Sequence, residues 1–189
     1  MKALDAVLLG IGILIALTAQ TSTAARKGKK PKNVFFSGIE TPGEMINPGS
    51  TENDQGKAII RGMIQRARDI TSDDRVNGEL TIEANACLDL RTHEGTLWGT
   101  FILENPGGKW LAGWIGQVTA RGTTIYAMGY GVGAYKDLMA NWTYTRIGSD
   151  PQIHFNLQGF IVRTIPTEAG LMKPRPGNLD QNECAPIND

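Results

Sequence analysis

The stretch that decides the fold reads GTLWGTFILEN over residues 95–105 and KWLAGWIGQVTARGTTIYAMGYGVGAYKDLMANWTY over residues 109–144. Glycine alternates there with tryptophan, tyrosine and β-branched residues, and short turns separate the runs. All 4 tryptophans of the chain lie in this stretch. Glycine within a strand marks a bend or a close approach of neighbouring backbone, so the pattern predicts a small, closed β-sheet.

The cleanest alternation comes just before that stretch and follows Asn77-Gly78, a dipeptide that favours a hairpin turn. The even positions from Leu80 to Leu90 are all apolar, whereas the odd positions between them are mostly polar. A period of two predicts a strand with one face toward a core.

The remaining runs extend this pattern in both directions. We predict a first strand over residues 33–40, a long loop over 41–57, which is rich in Pro, Gly and Asn, and a strand over 58–70. The last strand ends at Arg163. Consecutive strands joined by short turns pair antiparallel, and closure removes the sheet edges, so the fold class is an all-β, antiparallel barrel of about eight strands.

The N-terminus has the layout of a secretory signal peptide, predicted to span residues 1–25. Lys2 precedes an apolar run over residues 6–19, and small residues follow with a cleavage site after Ala24 or Ala25. We therefore expect a secreted or periplasmic protein without integral membrane association after cleavage. The alternative is an uncleaved anchor formed by residues 6–19, because the basic residues that follow resist translocation.

Three segments follow the predicted cleavage site: a basic, flexible tail over 26–33, the barrel domain over 34–164 and an extended C-terminal tail over 165–189. The chain of 189 residues carries 19 basic and 19 acidic residues, so its charge gives no reason to expect nucleic acid as a partner. Cys87 and Cys184, its only cysteines, either form a disulfide in an oxidising compartment or remain two thiols.

The chain resembles secreted bacterial proteins of the allene oxide cyclase-like barrel group, which is calycin-type and related to dirigent proteins. The resemblance covers about residues 33 to 164 and rests on three motifs: WGTFILEN, W-x-x-G-W-x-G and GYGVGAY. Their most specific positions are Trp98, Gly99, Trp110, Trp114, Gly116, Gly129, Gly131, Gly133 and Tyr135. The resemblance implies an eight-stranded barrel, and its wall and turn positions support the fold without assigning a reaction.

No common catalytic or metal-binding motif is present in the sequence. His93 and His154 lie in different segments without the spacing of a zinc site, so we expect no metal and no cofactor. No serine lies in a Gly-x-Ser-x-Gly motif, and Cys87 has no obvious base beside it. The run GYGVG over residues 129–133 lacks the Lys-Ser/Thr end of a phosphate loop and is better interpreted as a barrel bend.

The candidate site residues are those that would line the barrel interior. For ligand binding these are Trp98, Trp114, Tyr126, Glu83 and Asn85. Glu83 and Tyr126 are also the candidates for catalysis, because burial would raise the pKa of Glu83 and suit it to acid–base work. The competing interpretation, which the alternation favours, places Glu83 and Asn85 on the wet exterior.

Three functions are compatible with these features. The first is an exported barrel that binds a small apolar molecule or serves as an extracellular scaffold. The second is a cyclase or isomerase that confines a reactive substrate within the barrel. The third is a surface protein whose basic run over residues 26–32 contacts anionic lipid or cell-wall polymer.

Overall fold

The structure, a computed structural model, describes residues 33–147 and 154–164. Antiparallel strands make up most of this part of the chain, and one 3₁₀ turn, Asp74–Val76, interrupts them. The strands are β1 (Val34–Asn47), β2 (Ser50–Asp54), β3 (Lys57–Thr71), β4 (Gly78–Asp89), β5 (Gly95–Asn105), β6 (Gly108–Thr119), β7 (Gly122–Gly133), β8 (Leu138–Ile147) and β9 (Phe155–Arg163).

Eight of these strands form a closed barrel. Strands β3 to β9 pair in sequence order, and β1 closes the barrel by pairing with β9 on one side and with β3 on the other. The short strand β2 pairs with the first part of β3, outside the barrel proper. The predicted all-β, antiparallel, closed barrel is confirmed.

The N-terminal part of the barrel differs from the prediction. We predicted a loop over 41–57, but β1 continues to Asn47 and β2 occupies Ser50–Asp54. Pro42 and Gly43 lie at a register irregularity inside β1, so they bend the strand without ending it. Gly49 and Gly56 have positive φ angles of 75° and 82°, which allow short turns where a loop was expected.

The turn at Asn77-Gly78 also differs from the prediction of a tight hairpin. Residues 72–77 connect β3 to β4, and Asn77 has an ordinary φ of −85° at the end of the 3₁₀ turn. The side-chain Oδ1 of Asn77 accepts hydrogen bonds from the backbone N–H and the hydroxyl of Thr71. The asparagine therefore ties the ends of the connection together with its side chain.

The interior follows the predicted alternation. Leu80, Ala84 and Ala86 are buried in β4, whereas Leu90 lies beyond the end of that strand and is exposed. At the centre of the core, the ring of Trp142 lies 5.3 Å from that of Phe101 and 5.7 Å from that of Trp110, both edge-on. Edge-to-face aromatic contacts of this kind stabilise a core beyond the area they bury.

Two glycines let these large rings approach the barrel wall. A Cβ atom on Gly99 would lie 2.9 Å from the Trp114 ring, and one on Gly159 would lie 2.5 Å from the Phe36 ring. Both approaches are closer than real Cβ atoms allow. The predicted role of glycine as a wall position is confirmed at Gly99, and the GYGVG run lies inside β7 as strand.

Several predictions lie outside the described residues: the signal peptide, the basic run over 26–32 and the tail over 165–189. Among the described residues, no helix is long and apolar enough to cross a membrane. Cys87 is buried in β4, and Cys184 lies outside the described part of the chain, so their pairing stays a prediction.

Candidate functional site

Two carboxylates project into the barrel where β1 meets β3. Glu40 and Asp69 lie directly opposite each other in the register of these strands. Glu40 lies four residues after the buried Phe36, and Asp69 lies two residues after the buried Ala67, so strand alternation turns both side chains inward. Their exposed fractions are 9% and 1% respectively, which is unusual for charged residue types.

A tyrosine reaches this carboxyl pair from the other side of the interior. Tyr144 lies in β8, two residues after the buried Trp142, and its hydroxyl donates a hydrogen bond of 3.1 Å to Oδ2 of Asp69. The ring of Tyr144 lies edge-on to Phe101 and Phe155, so its position is fixed by aromatic packing. Glu40, Asp69 and Tyr144 are called the acid cluster below.

Burial determines the protonation of the acid cluster. Desolvation raises the pKa of Glu40 to about 7. It also raises the pKa of Asp69, and the nearby charge of Glu40 adds to this rise, while the hydrogen bond from Tyr144 opposes it. The pKa of Tyr144 is raised as well, first by burial and then by the charge of Asp69. The cluster therefore retains protons at neutral pH that exposed carboxyl groups would release.

Four buried polar atoms in the described part of the chain have no hydrogen-bond partner. They are Oδ1 of Asp69, Nε1 of Trp114, Nε1 of Trp142 and Nε of Arg146. All four side chains lie at inward positions of their strands. Buried polar groups are normally paired, so each of these four atoms is a position at which water or a ligand can complete the bonding. The guanidinium of Arg146 lies 5.3 Å from the ring centre of Phe155.

The two ends of the barrel differ in how they are filled. At the end where β6 begins, Trp110 is fully buried, stacks on Tyr135 and donates its indole N–H to the carbonyl of Arg75 at 2.7 Å. Near the opposite end, inward residues at the start of β5, β7 and β9 pack against the core but are only partly buried: Leu97, Ile125 and Phe155. These three inward residues are therefore less completely shielded from solvent than Trp110 is.

The predicted site residues fall on both sides of the wall. Trp114 lies inside, 8% exposed. Glu83 and Tyr126 lie on the outer surface, and Trp98 has the same outward parity between the inward Leu97 and Gly99. For Glu83 this is the exterior placement that the alternation favoured, whereas the expectation that Trp98 and Tyr126 line the barrel interior is wrong. The ligand-binding and catalytic roles predicted for these residues remain untested.

Asn85, another predicted site residue, has a structural contact in the wall. Its Oδ1 accepts a hydrogen bond of 3.0 Å from the backbone N–H of Gly62. Gly62 lies at the register shift between Ile60 and Met63, where β3 bulges. Asn85 therefore compensates for a backbone group that the strand ladder leaves unpaired.

Glu40 and Asp69 were missed as candidate residues. The available signal was their parity, because Glu40 lies on the same strand face as Phe36, and Asp69 lies on the same strand face as Ala67. A charged residue at an apolar position of a strand points into the core and is expensive to bury. Glu40 lay at the boundary of the predicted loop, and Asp69 lay in a run whose face was not assigned.

Metal binding has no structural support within residues 33–147 and 154–164. No group of three or more His, Cys, Asp or Glu side chains there is arranged to hold a metal ion. His93 and His154 are both exposed.

No family model, curated protein or solved structure matches this chain.

Proposed function

We propose that this protein is an exported barrel that binds a small, largely apolar molecule in its interior, with the polar part of that molecule at the acid cluster. The observation that carries the proposal is the buried and unpartnered Oδ1 of Asp69, together with the indole N–H groups of Trp114 and Trp142, which also point into the barrel and are also unpartnered. Small-molecule sites are usually lined by apolar and aromatic side chains, with a few polar groups that orient the ligand.

The donor and acceptor pattern narrows the chemistry of this molecule. Oδ1 of Asp69 accepts a hydrogen bond when the carboxyl is ionised and can also donate one when the carboxyl holds its proton, whereas Trp114 and Trp142 offer donors. A hydroxyl group can satisfy both kinds, and a carbonyl can satisfy the donors. The inward side chains around them are aliphatic or aromatic, so a ligand with one or two oxygen functions on a hydrocarbon frame fits best.

Native mass spectrometry of the mature protein from its secreting culture tests this proposal. We expect an additional mass that disappears on denaturation. The variant Asp69→Asn should weaken retention about tenfold, the equivalent of about 1.4 kcal/mol, because it changes the acceptor facing the ligand. Glu83→Gln is the matched control, since this outer-wall carboxylate should not affect retention. A bare mass for the wild-type protein would contradict ligand binding and favour a scaffold.

A second candidate function is a cyclase or isomerase of the allene oxide cyclase-like type. The observation that favours it is the pKa of about 7 for Glu40, because both protonation states of such a carboxyl are populated at neutral pH. Confinement of a flexible substrate between aromatic walls would supply the orientation, and Glu40 would donate or accept the proton.

The enzyme hypothesis has its own test. Extracts of the secreting culture, incubated with wild-type protein, should show a compound that is consumed and an isomer of the same mass that forms. Glu40→Gln should reduce this conversion by about a hundredfold, a loss typical of a missing general acid or base. Conversion at the wild-type rate by Glu40→Gln would remove the assignment.

A further inference from the structure

The outer wall of the barrel carries a groove on strands β1, β9 and β8. Its volume is about 470 Å³, within the range of small-molecule sites. Two neighbouring rows of outward side chains form its surface. Each row crosses β1, β9 and β8 in that order. The first row consists of Phe35, Phe160 and Asn141, and the second consists of Ser37, Gln158 and Thr143.

The first row presents an exposed aromatic surface. Phe35 is 73% exposed, which is the largest exposed fraction among the exposed large hydrophobic residues of the described chain. Its ring centre lies 6.0 Å from that of Phe160, with the two ring planes tilted by 56°. These two rings therefore form a pair with one open face toward solvent. An exposed apolar surface of this kind is a candidate contact for a ligand.

The rest of the groove is polar but uncharged. All the residues that line it are neutral. The side chains of Asn141, Gln158 and Thr143 make no hydrogen bond to other residues in the described part of the chain. Two amides and a hydroxyl supply both donors and acceptors that can turn toward a ligand.

We propose that this groove binds a neutral carbohydrate. A sugar ring has one face of C–H groups, which packs on an aromatic ring, and a rim of hydroxyl groups, which both donate and accept hydrogen bonds. The groove offers these two surfaces side by side. A phosphate or a carboxylate would find no cationic side chain among the lining residues, and a pure hydrocarbon would leave the two amides unpaired.

The carbohydrate site is separate from the acid cluster. Phe35, Ser37 and Thr143 have the opposite strand parity to Phe36, Trp142 and Tyr144, so the two sets of side chains lie on opposite faces of the wall. The proposal does not depend on ligand binding in the barrel interior, and each site can be tested while the other is intact.

Native affinity electrophoresis of the full-length mature protein tests the carbohydrate site. The gels contain one neutral polysaccharide each: soluble starch, hydroxyethyl cellulose, laminarin, xylan or galactomannan. We expect at least one polymer to retard the protein. Phe35→Ala should raise the dissociation constant about tenfold, because it removes the exposed stacking ring. Gln158→Ala should weaken retardation through the polar row, and neither exposed change should prevent folding.

Ile115→Ala is the matched control, because Ile115 is 62% exposed on β6 and does not line the groove. Its retardation should equal that of the wild type. Absence of retardation by all five polymers would overturn the proposal, as would retardation that survives both Phe35→Ala and Gln158→Ala. Sedimentation of the same proteins tests whether the groove is instead an interface between two copies of this chain. Self-association of the wild type that Phe35→Ala abolishes would assign the groove to a second copy and overturn carbohydrate binding.

Discussion

Two regions of the barrel interior are built from the same kinds of side chain but differ in their hydrogen bonding. One region is the end of the barrel where β6 begins, which we call the closed end. There, the indole N–H of Trp110 donates to the carbonyl of Arg75 at 2.7 Å, and the hydroxyl of Tyr135 donates to Asn105 at 2.6 Å. In the middle of the barrel, the indole N–H groups of Trp114 and Trp142 have no partner within the described chain. Both regions are aromatic and buried.

This difference in hydrogen bonding suits the two regions to different roles, one in stability and the other in ligand binding. A paired buried group contributes modestly to stability, whereas an unpaired one costs about 1–3 kcal/mol. The closed end avoids that cost, and Asn105 extends its bonding by donating to the carbonyl of Asn77 at 2.8 Å. The middle of the barrel bears the cost and retains unmet donors and acceptors. We infer that the closed end holds the fold together and the middle is where a ligand is held.

The largest effect should come from Trp110→Ala. Trp110 is fully buried, stacks on Tyr135 and anchors the connection between β3 and β4. Its removal leaves a cavity and takes away the shorter of the two hydrogen bonds that the Arg75 carbonyl accepts, so the free energy of unfolding should fall by about 3–5 kcal/mol in chemical denaturation. Ile115→Ala, on the outer face of the same strand, should change it by less than about 0.5 kcal/mol. Equal effects would contradict the assignment of the closed end as the main anchor.

The second effect concerns pH and the carboxyl group of Glu40. The folded protein holds this proton up to a pH of about 7, whereas the ordinary pKa of the group is 4.5. The folded state therefore binds more protons between these values, and the free energy of unfolding should fall as the pH rises through this window. The expected loss is on the order of 3 kcal/mol, and it should level off above pH 7.

Glu40→Gln isolates this contribution, because the amide has a similar shape and does not titrate. Between pH 4 and pH 8, the free energy of unfolding should fall less steeply with rising pH for this variant than for the wild type. Asp69 accounts for the slope that remains, because its pKa is also raised in the folded protein and its contribution therefore has the same sign. Glu83→Gln is the control and should retain the wild-type slope. A slope unchanged in Glu40→Gln would show that this carboxyl titrates as if it were exposed.

Local alternation was enough to predict much of the closed barrel. Leu80, Ala84 and Ala86 are buried as their spacing indicates, and the glycine- and tryptophan-rich stretch forms β5 to β8. The pattern failed from Thr41 to Asp54, because proline and glycine indicate a loop by composition, whereas here they form bulges and short turns within paired strands.

The acid cluster could not be predicted, because its members meet only through barrel closure. Glu40 and Asp69 become neighbours when β1 pairs with β3, and Tyr144 reaches them across the interior from β8. The bulge at Gly62 also shifts the register of β3, so the inward face beyond it does not follow from the face before it. Only the parity of each carboxylate was visible in the sequence.

The third prediction compares the two buried tyrosines. Tyr144→Phe removes the only hydrogen bond that the Asp69 carboxyl group accepts in the described chain and should lower the free energy of unfolding by about 2 kcal/mol. Tyr135→Phe should cost about 1 kcal/mol, because its partner atom on Asn105 also accepts a hydrogen bond from Gly107. Urea denaturation at pH 6 measures both. A larger loss for Tyr135→Phe would place the more critical polar contact at the closed end.

The smallest effects should follow changes to the outer wall. Tyr126 is 59% exposed, and Glu83 is exposed without an ion pair in the described chain. Tyr126→Phe and Glu83→Gln should therefore each change the free energy of unfolding by less than about 0.5 kcal/mol and leave the native mass of the ligand-bound protein unaltered, apart from the substitution itself. Asp69→Asn, measured beside them, should retain the ligand about tenfold more weakly than the wild type. The reverse result, ligand lost from either outer-wall variant and kept by Asp69→Asn, would move the binding site to the outside of the barrel and leave the unpaired groups in its middle as a purely structural cost.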